Sequence, residues 1–78
     1  MAGVGSASTV AMLMRDALAY HQAGQFELAW EIYLRVLQEA PDRADAWYLA
    51  GLVEQSRGHL EQAHQRIGRA VELAPYSL

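Results

Sequence analysis

The chain repeats itself. Laid over itself at an offset of 34 residues, Gly24 falls on Gly58, Ala29 on Ala63, Ala40-Pro41 on Ala74-Pro75, Leu18 on Leu52, Glu27 on Glu61 and Arg35 on Arg69. The coinciding positions are turn residues and small residues, the types that backbone geometry and close helix contact select. A unit of this length is one supersecondary piece that buries its apolar side only by stacking on a neighbour. The fold must therefore be built from two equivalent halves, repeat 1 over about residues 10–43 and repeat 2 over about residues 44–77.

Each half divides into two helices. The first is expected over residues 9–23, ending at Gly24, whose freedom to take positive φ suits a helix C-terminus. The second is expected over residues 26–39 and is stopped by Pro41, which cannot continue a helix and restricts the residue before it. Asp42 is the expected N-cap of a third helix over residues 43–57, with Asp45 three residues on and Gly58 as its stop. A fourth follows over residues 60–73, closed by Pro75. Links of two or three residues within each pair force antiparallel neighbours. Residues 1–8 (MAGVGSAS) are small and aperiodic and read as a flexible leader outside the single domain at 9–78. Gly3 and Gly5 lack the preceding strand and the further glycine or lysine of a phosphate loop.

A chain of 78 residues is near the lower limit at which one core outweighs conformational entropy. With 53% hydrophobic and 19% charged residues it is too apolar to stay disordered. Having 0 Cys, it has neither a disulfide framework nor a thiolate metal site, so burial alone must hold it. The net charge of -3 and the scattered arginines offer no basic patch for phosphates, which argues against nucleic acid. No stretch approaches the roughly 20 apolar residues of a membrane span, and a cytoplasmic location is expected.

These residues bring a family into view. Trp47, Ala50-Gly51, Ala63, Ile67 and Pro75 in the second unit, and Leu13, Ala17, Tyr20, Ala29, Tyr33 and Pro41 in the first, resemble the 34-residue tetratricopeptide pattern. Two positions depart from it: Glu54 stands where the pattern has Tyr, and Asp16 where an apolar residue is usual. The resemblance implies an all-α fold, two antiparallel helix-turn-helix repeats stacked as a short right-handed solenoid. It places Gly51 with Ala63, and Ala17 with Ala29, at close helix crossings, with Trp47, Leu13, Tyr33, Val36, Ile67 and Ala70 filling the layer between.

The resemblance also implies a function: the first helix of each pair lines a concave groove that receives a peptide or partner protein. The groove candidates are Met14, Arg15, Leu18 and His21 from the first helix and Asp45, Tyr48, Leu52 and Gln55 from the third, with Ala11, Gln22, Leu49 and Ser56 beside them. Family members that clamp a terminal carboxylate use Lys and Asn, and this chain contains neither, so an apolar or mixed peptide is the expected ligand. Comparing the second and fourth helices at the same offset, Leu28 becomes Gln62, Trp30 becomes His64, Ile32 becomes Arg66 and Leu34 becomes Gly68. The fourth helix thus reads as an end with a polar outer face and one apolar stripe of Leu60, Ala63, Ile67, Ala70, Val71 and Ala74.

Two alternatives stay open. The module is a docking or substrate-recruiting segment of a larger enzyme such as a glycosyltransferase, sulfotransferase or modular synthase, or it is a homo-oligomerisation scaffold, a homodimer through an outward patch of Trp30 and Leu34. No catalysis, cofactor or metal is expected within the chain. His59 and His64 are five residues apart, which separates them on a helix face. Glu27, Glu31 and Arg35 read as an exposed ion-pair ladder.

Overall fold

The computed structural model describes the backbone of residues 2–73 and the side chains of residues 9–73. Among these residues there are four α-helices and no strand: α1 (Ala2–Gln22), α2 (Phe26–Glu39), α3 (Ala44–Ser56) and α4 (Leu60–Leu73). The described residues form an all-helical arrangement. The bounds of α2 and α4 are those the sequence suggests. Pro75 and Ala74, read as the stop of the fourth helix and the end of its stripe, lie outside the described residues.

α1 starts at Ala2, well before Thr9, so the backbone of the segment read as a leader continues the helix. Nothing in that segment breaks a helix outright: it holds no proline, and once a helix is nucleated each further residue adds a hydrogen bond at little cost. α3 is also differently begun. Asp42 sits in the turn after Pro41, and the N-cap is Arg43, in extended conformation with no side-chain cap. The Arg43 carbonyl accepts from the amides of Ala46 (3.1 Å) and Trp47 (3.3 Å), while its guanidinium Nε donates to Asp45 Oδ1 at 2.9 Å. Asp42 is one residue too early to reach the free amides of the first turn.

The repeat is written into the backbone hydrogen bonds. At the end of α1, Gly24 takes φ 81°, its amide donates to the His21 carbonyl (3.0 Å), and the Gln25 amide donates to the Tyr20 carbonyl (2.9 Å). At the end of α3, Gly58 takes φ 84°, its amide donates to Gln55 (3.0 Å), and the His59 amide donates to Glu54 (2.8 Å). Both are the same glycine-terminated helix stop, and every partner is displaced by the same offset.

Each helix packs on its successor, and α1 also meets α3; α4 touches neither α1 nor α2 among the described residues. Ala17 and Ala29 are fully buried, as expected of small residues at a helix crossing, and Ala63 is nearly so. The α3–α4 crossing is tighter still: a Cβ on Gly51 would lie 2.6 Å from Ile67 Cγ1 and 3.1 Å from the Ala63 carbonyl oxygen. Tyr33, Val36, Ala46, Ala50 and Val53 form the centre, with Leu13 and Trp47 packed against it. Trp47 also donates its indole N–H to the Pro41 carbonyl at 2.8 Å, which fastens the link between the halves to the helix that follows.

Candidate functional site

α1 and α3 are in contact, and the residues singled out on them occupy equivalent positions one repeat apart. Leu18 and Tyr48 are the apolar side chains most open to solvent there, at 39% and 41% exposure. Met14 and Leu52 are half-buried, and Met14 and Leu49 also pack against the core. Arg15, Asp45 and Gln55 are exposed around them, Asp45 held by Arg43. His21 is half-buried, its ring set edge-on to Phe26 with centroids 5.6 Å apart. Its Nε2 lies 3.5 Å from Ser56 Oγ, the polar contact that joins the C-terminal ends of α1 and α3.

Of the pair read under one alternative as an outward patch, Trp30 turns toward the core. Trp30 packs against the core, and the Arg57 guanidinium covers its ring at 4.6 Å from the centroid. Leu34 is half-buried. The reason is periodicity: Trp30 and Tyr33 lie one turn apart on α2 and both meet α3 groups, Arg57 over the Trp30 ring and the Asp45 charge near Tyr33, so an aromatic at that spacing is drawn into the contact between halves.

Glu54, which the sequence marked only as a departure from the repeat pattern, is a carboxylate with 2% exposure. Its Oε1 accepts from Arg57 Nη1 at 3.3 Å and from His59 Nδ1 at 3.0 Å, and its Oε2 accepts from Arg66 Nε at 3.3 Å. An ionised carboxylate is acceptor-only, which makes Nδ1 the protonated nitrogen of His59 in this contact. Arg57 reaches on to Glu27 Oε2 at 2.9 Å, so one guanidinium ties the start of α2 to the end of α3. The Trp30 indole N–H is buried beside the carboxylate without reaching good hydrogen-bond geometry. Burial pushes the Glu54 carboxyl up, but the hydrogen bonds from His59 and Arg66, the nearby Trp30 indole N–H and the Arg66 charge outweigh it and hold the carboxyl below the ordinary range. Both oxygens are engaged, so this carboxylate is a structural tie rather than an acid or base open to a substrate.

Three residue identities in the sequence point to that tie. A glutamate stands where the repeat pattern carries Tyr, an arginine lies three residues on, and a histidine five. Only the folded chain adds Arg66 from α4. A second buried polar group is Tyr33, whose hydroxyl has no hydrogen-bond partner. Burial first, and then the negative charge of Asp45, push its phenol up to about 12.

Between the α1–α2 and α3–α4 turns lies a depression of about 440 Å³, lined by residues 24–28 with Arg57 and His59. It is a shallow surface feature in which Arg57 and Glu27 of the walls pair with each other and His59 contacts Glu54 behind them. Among the described residues no group of three His, Cys, Asp or Glu side chains is placed to hold a metal ion, and no helix is long and apolar enough to cross a membrane. No protein-family profile matches the chain, and no curated protein matches it.

Proposed function

We propose that this chain is a tetratricopeptide-type module, a short right-handed solenoid of two helix pairs, that captures a peptide or partner protein along the α1–α3 face. Three features support the architecture: identical helix stops one period apart, contact between the first helices of the two pairs, and the α3–α4 crossing that only a glycine at position 51 admits. A non-catalytic role fits a surface whose buried carboxylate is wholly engaged. We place the module in the cytoplasm.

One observation carries the binding reading: Leu18 and Tyr48 stay in water on adjoining helices, with Met14 and Leu52 half-buried alongside. Two exposed apolar anchors over a partly apolar floor suit a segment with apolar side chains at helical or extended spacing. Tyr48 offers a large rigid surface at low entropic cost, the usual property of an anchor at a protein interface. Arg15, His21, Asp45 and Gln55 border the floor with charges of both signs, which fits a mixed sequence better than a strongly acidic or basic one. Selection of binders from a random peptide library displayed on phage is the test. Selected peptides are expected to bind the native chain and to lose at least tenfold in affinity against Tyr48→Ala and Leu52→Asp, with helical circular dichroism unchanged. Undiminished binding to both variants refutes the assignment.

A further inference from the structure

The offset of 34 residues pairs residues 10–22 of α1 with α3, and every position of α2 with one of α4, so burial can be compared position by position. On α3, Ala46, Ala50, Val53 and Glu54 are buried; their counterparts on α1, Met12, Asp16, Ala19 and Tyr20, are all exposed. Their spacing of four, three and one places them on one helix face. On α2, Phe26, Trp30, Tyr33, Leu34 and Leu37 are buried or half-buried. Their counterparts on α4 are Leu60, His64, Ile67, Gly68 and Val71, all more open: Leu60 is 65% and Val71 43% exposed, against a buried Leu37. These positions too form one stripe.

The two faces that gain cover in one half and lack it in the other lie on α2 and α3, which pack on each other within the chain, Arg57 at the end of α3 covering the Trp30 ring and reaching Glu27; Arg66 of α4 adds to the cover of Glu54. We infer that the exposed stripe of α4 takes the exposed stripe of α1 from a second copy of this chain, in the manner in which α2 takes α3 within one copy. The occupant follows from the repeat itself: what covers α2 is the front of a helix in the third position, and α1 carries the equivalent front. The inference is independent of the peptide-binding reading, because it uses the exposed stripes of α1 and α4 rather than the α1–α3 face.

Such a contact is head-to-tail. It does not close on itself at two copies and builds chains whose length grows with concentration. It is also weaker than its internal template. His64 and Gly68 replace Trp30 and Leu34, and Asp16 brings a carboxylate to the place that Ala50 fills in a fully buried position. Removing that charge is therefore expected to tighten the contact, an outcome that a merely solvent-facing Asp16 would not produce.

Sedimentation equilibrium from about 10 μM to about 1 mM spans the weak range in which such contacts form. The native chain is expected to show a mean mass that rises past the dimer value. Met12→Asp blocks one end and Val71→Asp the other; both sites are exposed, and circular dichroism verifies that each variant is folded. Each variant alone is expected to be monomeric, while their equimolar mixture forms a dimer and nothing larger, through the intact α1 of one and the intact α4 of the other. Asp16→Ala is expected to strengthen association at least fivefold. A native chain that is monomeric throughout, a blocked variant that still dimerises alone, or an Asp16→Ala chain no more associated than the native one overturns the inference.

Discussion

Substituting Glu54 by Gln keeps the shape of the side chain and removes its charge, so it isolates what the buried carboxylate contributes. Three cationic or ionisable groups from the end of α3, the following turn and α4 converge on it. A hydrogen bond to a charged group contributes about 1.5–3 kcal/mol when shielded. Arg57 and Arg66 are largely shielded, whereas His59 is nearly half exposed and contributes in the surface range of about 0.2–1 kcal/mol. The cost of keeping the carboxylate out of water offsets part of that sum. A net loss of about 2 kcal/mol is expected at neutral pH, against a total of roughly 4–12 kcal/mol for a domain of this length. For a chain this small the corresponding fall in Tm is about 8–16 °C. The pH dependence has a definite sign. Because the folded-state pKa of Glu54 is held below its ordinary value of 4.5, its contribution is complete above that value and is lost as pH falls through the lower folded one. Urea unfolding curves of the native chain and Glu54→Gln should therefore be well separated at pH 7 and converge in acid. A separation below about 0.5 kcal/mol at pH 7, or one that persists undiminished at pH 2, refutes this account of the tie.

Gly51→Ala and Gly68→Ala should move stability in opposite directions. At 51 the new methyl meets Ile67 and a backbone carbonyl, where overpacking of about 1–3 kcal/mol exceeds the helix-propensity gain of about 1 kcal/mol; at 68 nothing lies within 4 Å and the gain of about 0.5–1 kcal/mol stands alone. Thermal melts that rank the two variants the other way contradict the close crossing. Trp47→Phe keeps an aromatic against the core but loses the indole bond to the Pro41 carbonyl, with an expected cost of about 1 kcal/mol by urea titration. An unchanged midpoint would mean that the bond is replaced by water at no cost.

The contrast between Gly58 and Glu54 shows which features a linear sequence can carry. Gly58 acts through its own backbone: positive φ ends the helix wherever the chain turns, so its match to Gly24 marks the turn without reference to any third residue. The bounds of α2 and α4 were legible for the same reason, since apolar spacing and the flanking Gly or Pro are local. Glu54 acts through Arg57, His59 and Arg66, and its value depends on whether α4 brings a guanidinium to it. Read alone, a glutamate in a helix is a solvated residue; only the packing of α2 and α4 on α3 turns it into a buried one. Trp30 follows the same logic in the opposite direction. As one residue of a helix that is apolar on several sides it could face either way, and the Arg57 guanidinium over its ring, itself drawn in by Glu27 and Glu54, marks the α3 side as inner. A single non-local tie thus fixes both the carboxylate that departs from the repeat pattern and the tryptophan whose side the sequence left open. Removing it should loosen the two together: Glu54→Gln is expected to shift the Trp30 contribution to intrinsic fluorescence in a Trp47→Phe background, with a red shift reporting entry of water, whereas an unshifted spectrum would show that Trp30 is held by apolar packing alone.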